Sequence, residues 1–177
     1  MDDLYSYARH LGFDEHIAMD AIHDVFYKLC TNESTLSNVL NVKFYLFRSL
    51  KNRLIDIQRS HKGYSEAKVI KKEDFEEMTF HFNINIEDEL IDKEEQEEIR
   101  KKVESVLSSL NNHQREIIYL RYIHEYDYAE IAELMHISVA ACRNLISKSL
   151  NKLKKSSIPL TQLLLIISTS AFTCIKN

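Results

Sequence analysis

Two glycines and one proline in 177 residues are the tightest limit this chain sets on its own fold. Hairpin turns need residues that accept positive φ, and glycine supplies most of them. A chain so short of both residues cannot make the many tight reversals of a sandwich or barrel, so the expected fold class is all-α. Its 45% hydrophobic content is enough to build packed cores, in one domain or in two small ones. Cys30, Cys142 and Cys174 are odd in number and far apart, which fits neither a disulfide framework nor a C-x-x-C metal knuckle and suits a reducing cytosol. Met1 is followed at once by Asp2 and Asp3, without the basic and apolar start of a secretory leader.

The formal net charge of -4 conceals blocks of opposite sign. Residues 1–42 carry a net -5 and 63–98 a net -9, whereas 43–62 and 139–155 each carry +5. Short basic patches in an otherwise acidic chain are a means of meeting phosphate without being basic overall. A pair of solvated helix faces has the same composition, so charge by itself leaves both readings open.

Apolar residues recur at helical spacing through Leu4, Ala8 and Leu11, then through Ile17, Ala21, Ile22, Val25, Phe26 and Leu29. This predicts two helices broken near Gly12, with Asp14 capping the second. Thr31–Asn41 is rich in Asn, Ser and Thr and reads as a loop, and 42–60 reads as a third helix that is basic and aromatic together. Residues 63–98 lose periodicity and read as an acidic linker, its end from Glu87 already entering a helix that runs to Lys102.

Beyond the linker, Asn111 with Gln114 and Asp127 with Glu130 have the capping-box spacing. A helix over Asp127–Met135, a short break and a longer helix over about 138–155 predict a helix-turn-helix. His136 stands at the turn position where glycine is usual, and Ser138 caps the last helix. Val139, Cys142, Ile146, Leu150 and Leu153 are the expected buried stripe, leaving Ala140, Ala141, Arg143, Asn144, Ser147, Lys148 and Lys152 on a face without an acidic residue.

Together the two halves resemble a bacterial RNA polymerase sigma factor of the extracytoplasmic-function (ECF) group of the sigma-70 family. The resemblance is carried by Leu-Tyr-Ser-Tyr-Ala-Arg-His-Leu (4–11), Ala-Met-Asp-Ala-Ile-His-Asp-Val-Phe-Tyr-Lys-Leu (18–29) and Phe-Tyr-Leu-Phe-Arg-Ser-Leu-Lys-Asn-Arg-Leu-Ile-Asp (44–56) in the first half. Leu-Asn-Asn-His-Gln-Arg-Glu-Ile-Ile-Tyr-Leu-Arg-Tyr (110–122) and Tyr-Ala-Glu-Ile-Ala-Glu-Leu-Met-His-Ile-Ser-Val (128–139) carry it in the second. It implies an N-terminally short region 2 over 1–62, an acidic linker over 63–98, a region 4 with the helix-turn-helix over 99–155, and an uncharged tail over 156–177. The partners it implies are core RNA polymerase, promoter DNA and an anti-sigma factor.

By the same resemblance, Asp20, His23, Asp24 and Lys28 meet polymerase, with His23, Asp24 and Cys30 departing from the commoner Gln, Glu and Trp. Asn38, Asn41, Tyr45, Arg48, Lys51, Asn52 and Arg53 serve the -10 element and its melting, where cations attract backbone and aromatic planes replace lost stacking. Ala141, Arg143, Asn144 and Lys148 read the -35 element in the major groove, with Leu145 where the family often has Arg. Eight His without H-x-x-x-H spacing and the lack of a Gly-rich phosphate loop leave no catalytic, metal or cofactor site in view. The expectation is a cytoplasmic, non-enzymatic initiation factor. Its rivals are a helix-turn-helix regulator acting without polymerase and a membrane-tethered interaction protein. The 20 uncharged residues 156–175 are long enough to cross a bilayer, but eight of them are Ser, Thr or Gln and Pro159 interrupts them, so a packed C-terminal helix is the expectation.

Overall fold

The computed structural model describes residues 2–31, 39, 41–61, 78–82, 93–156 and 158–173. All regular structure among them is helical: α1 (Asp2–His10), α2 (Glu15–Thr31), α3 (Val42–His61), α4 (Lys93–Ser108), α5 (Asn112–Tyr122), α6 (Tyr128–Leu134), α7 (Val139–Leu153) and α8 (Leu160–Thr173). The chain divides into two compact units, 1–79 and 80–177.

In the first unit α1, α2 and α3 pack pairwise on one another. Each buries the stripe its spacing provides: Leu4, Tyr7 and Ala8; Ala18, Ala21, Ile22, Val25 and Leu29; Phe47, Leu50, Leu54 and Ile55. Ile17 and Phe26 are half-buried at the margin of the second stripe. The break near Gly12 is a Schellman turn, in which Phe13 N-H donates to Ala8 O (3.2 Å) and Gly12 N-H to Arg9 O (3.0 Å). Gly12 stands at φ +86°, and a Cβ there would meet Thr79 Oγ1 at 2.8 Å. Asp14 then caps α2, accepting from Ile17 N-H at 2.9 Å.

In the second unit α5, α6 and α7 pack pairwise. Both expected capping boxes are formed, Asn111 with Gln114 and Asp127 with Glu130. A second Schellman turn ends α6: Ile137 N-H donates to Ala132 O (2.9 Å), His136 N-H donates to Glu133 O (3.2 Å), and His136 takes the left-handed φ of +53°. Ser138 Oγ accepts from Ala141 N-H at 3.1 Å and starts α7. Helix-turn-helix connectivity thus follows from three local signals in consecutive positions. Glu125 also lies at left-handed φ, +57°, in the turn between α5 and α6, which no sequence signal pointed to.

Two expectations change. The stretch 63–98 is not linker throughout, since Met78 and Phe80 are 5% and 1% exposed. Phe80 packs its ring 5.3 Å from Tyr119 and its carbonyl accepts from Arg115 Nη1 at 3.1 Å. Described helix begins at Lys93, and the expected start at Glu87 lies outside the described residues. There the acidic charge is partly answered within α4: Arg100 reaches Glu97 and Glu104 at 2.8 Å each, and its hydrogen bond holds the Glu97 carboxyl below the usual carboxylate range. The buried seam of α7 also shifts, running through Cys142, Ile146, Ser149 and Leu153, with Val139 exposed and Leu150 half-buried. Ser149 is admitted because its hydroxyl donates to Leu145 O at 2.7 Å. Val139 is left out because burial on α7 begins only at Cys142.

In the tail, α8 buries Leu163 and Ile167 and exposes Leu165. Among the described residues no helix is long and apolar enough to cross a membrane.

Opposite outcomes are expected at the two left-handed turns. Gly12→Ala lowers the unfolding free energy by about 1–2 kcal/mol, because the new Cβ carries left-handed strain and meets Thr79. His136→Gly raises it by about 1 kcal/mol, because the same strain is removed. Urea denaturation of the two variants checks both signs.

Candidate nucleic-acid interface

In the first unit the expected polymerase-facing residues share one face of α2. Asp20, His23 and Lys28 are exposed and Asp24 is half-buried. Tyr27 lies on the same face, three residues after Asp24 and four after His23, and is 71% exposed. A large aromatic left in water among charged side chains has the composition of a protein-docking surface. Tyr27 was not among the residues expected from sequence, although its helical spacing from Asp24 was the available signal.

The neighbouring helix α3 opens a cleft of about 200 Å³ against α2, lined by Asp24, Lys28, Tyr45, Asn52, Arg53 and Asp56 among others. Two residues assigned to different partners meet at this cleft. Arg53 donates from Nε to Asp24 Oδ2 at 2.7 Å, and its Nη2 lies 2.7 Å from the same oxygen. Tyr45 and Asn52 border the same cleft, and Arg48 is exposed on α3.

Two members of the -10 set, Lys51 and Asn41, stand differently from the expectation. Lys51 is 2% exposed. Its helical spacing from Phe47, Leu54 and Ile55 turns it to the buried side of α3, so it is a core lysine and not a surface cation. Asn41 caps α3, its Oδ1 accepting from Phe44 N-H at 3.0 Å, so that oxygen is committed to the helix end and not held out to a base. Asn38 lies outside the described residues. Of the aromatic group, Phe47 is core, with its ring 5.2 Å from Tyr7, while Phe44 and Tyr45 are half-buried.

In the second unit the expected -35 set comes together. Ala141, Arg143, Asn144 and Lys148 are all exposed on α7, the second helix of the helix-turn-helix, and no acidic residue interrupts them. Lys152 is drawn off this face, its Nζ donating to Ser109 O (3.2 Å) and Gln114 Oε1 (3.0 Å). The guanidinium of Arg143 lies over the ring of Tyr128 at 5.4 Å, and that of Arg121 over the same ring at 5.1 Å. Arg121 and Tyr128 were not singled out from the sequence, because α5, α6 and α7 must fold before the three meet. Beneath them burial pushes the Cys142 thiol up, against the pull of Arg121 and Arg143. Among the described residues no three His, Cys, Asp or Glu side chains gather as a metal site.

A basic, acid-free helix face in a helix-turn-helix, in a chain whose other unit has its own cationic helix among the described residues, defines a DNA-binding protein with a second interaction domain. Residues 1–63 match the family described as Sigma-70 region 2, and residues 100–153 that described as Sigma-70, region 4. The ECF RNA polymerase sigma factor SigM of Bacillus subtilis (strain 168) is 26% identical over 163 residues, covering 87% of this chain and 88% of SigM. Among solved structures, the sigma factor RpoE from Bartonella quintana, crystallised with the anti-sigma factor NepR, matches with a TM-score of 0.54 at 19% identity, covering 86% of this chain and 88% of that one. The chain belongs to the sigma-70 family of RNA polymerase sigma factors, in its ECF group. It is a polymerase-binding, promoter-recognising sigma factor.

Two predictions follow from burial. Lys51→Met leaves the salt dependence of promoter-complex formation unchanged, whereas Arg48→Ala lowers its slope by about one phosphate contact; salt titration of complexes formed with core polymerase separates them. In a Cys174→Ser chain at pH 8, exposed Cys30 reacts with a thiol reagent while Cys142 is labelled only on unfolding.

Proposed function

We propose that the exposed face of α2 (Asp20, His23, Asp24, Tyr27 and Lys28) docks on core polymerase while α3 and α7 serve the -10 and -35 elements. The observation that carries the reading is the acid-free face of α7, with Ala141, Arg143, Asn144 and Lys148 all open to solvent. Arg143 and Lys148 supply cations, Asn144 a paired donor and acceptor, and Ala141 a methyl for a thymine, which is the inventory a major-groove reader needs. On α3, Tyr45, Arg48, Asn52 and Arg53 remain the candidates for the opened -10 strand, with stacking and charge replacing what the duplex loses.

The factor adds no bond-making step of its own and works in the cytoplasm, where polymerase and DNA are. An anti-sigma protein is a further partner, supported by the RpoE–NepR complex as a fold relative. A regulator acting without polymerase is disfavoured, because it has no use for a region 2 match over residues 1–63.

Runoff transcription with core polymerase tests the assignment. The intact chain directs specific starts, and Arg143→Ala weakens promoter use by about 1–3 kcal/mol if the guanidinium pairs with guanine, and by less if it meets only phosphate. Correctly folded protein that gives no specific starts overturns the reading.

A further inference from the structure

We propose that Tyr128 is a positioning residue for -35 recognition: its ring is a shelf on which the guanidinium of Arg143 is held ready for the base it reads. The proposal rests on the assignment of Arg143 to the -35 element and adds to it the group that orients the reader. Arg143 is exposed and its guanidinium makes no ion pair or hydrogen bond with another described residue, so its contact with the Tyr128 ring, 5.4 Å from the guanidinium carbon, is what restrains it. A guanidinium attracted to an aromatic face by its charge spends none of its N-H groups on that contact, so they remain available for paired hydrogen bonds.

The shelf is itself fixed. Tyr128 is the first residue of α6, directly after the cap Asp127. Glu130 N-H donates to Asp127 Oδ1 at 2.8 Å and Asp127 N-H to Glu130 Oε2 at 3.0 Å, so the backbone that carries the ring is locked at the helix start. Arg121 occupies the same ring at 5.1 Å and is tied in place by its Nη1 donating to Tyr126 O at 2.8 Å. The ring is thus shared by two cations, of which Arg121 is the one anchored by a hydrogen bond. An arginine ordered before DNA arrives loses less rotamer freedom on binding, so base discrimination is the quantity that gains.

The test uses holoenzyme formed from the full chain and core polymerase, on a duplex library randomised across the upstream element, with bound and unbound pools sequenced. Tyr128→Phe keeps the ring and retains wild-type discrimination. Tyr128→Leu reduces discrimination about two- to five-fold, at only those base positions that Arg143→Ala also affects, and leaves the salt slope unchanged. In the Arg143→Ala background Tyr128→Leu has no further effect on base choice. If Arg143→Ala alters no position, the -35 assignment itself fails. If Arg143→Ala acts and folded Tyr128→Leu does not, or lowers every position equally, the positioning role is overturned. Should Tyr128→Leu unfold, the wild-type chain still decides by NMR: ring-current shifts on the Arg143 side-chain protons support the shelf, and unshifted protons refute it.

Discussion

The crossing of α6 over α7 depends on one backbone conformation. At His136 the chain takes a left-handed φ of +53°, which lets the amides of His136 and Ile137 turn back onto Glu133 and Ala132 and close the end of α6. Ser138 then opens α7 two residues later. Without that reversal α6 would run on and α7 would have no separate axis. The buried seam of Cys142, Ile146, Ser149 and Leu153 faces inward only because the turn delivers α7 at this angle, and the acid-free face is whatever the seam leaves outside. A β-carbon in that conformation carries a cost that glycine would avoid, offset here by two satisfied amides and a packed helix pair.

Charge is handled differently in the two units. On α7 the cations Arg143 and Lys148 are left exposed and have no acidic neighbour on their face. In the first unit Arg53 of α3 is joined to Asp24 of α2, side chains 38% and 46% exposed. A half-solvated pair contributes at most about 1 kcal/mol, so a partner carrying phosphate or a cation of its own can take either member at small cost. Helices α2 and α3 therefore share a charge pair that is cheap to open, while α7 presents its cations directly.

Much of the molecule was legible in one dimension. Asp14, Asn111, Asp127 and Ser138 cap the helices their spacing promised, and Gly12 breaks the chain where expected. Helix caps are set by residues three positions apart, so a local pattern determines them. The differences from expectation fell where a neighbour decides. Lys51 sits in a basic run yet is buried, because its position on the turn, and not its charge, sets which way it points. Asn41 sits in a polar loop yet holds the end of α3. Met78 and Phe80 lie in a stretch without periodicity and are buried, Phe80 against Tyr119, which comes from far along the chain.

The one-dimensional pattern by itself determined that this protein is helical, where most helices start and stop, and that two basic stretches flank an acidic one, since all of these follow from residue type and short-range spacing. Which cations reach solvent, which carboxylate Arg53 engages, and that Tyr128 lies beneath both Arg121 and Arg143 were decided only by the packing of separate helices. Those contacts join residues up to 29 positions apart, and no short-range rule connects side chains at that distance until the apolar seams have brought their helices together.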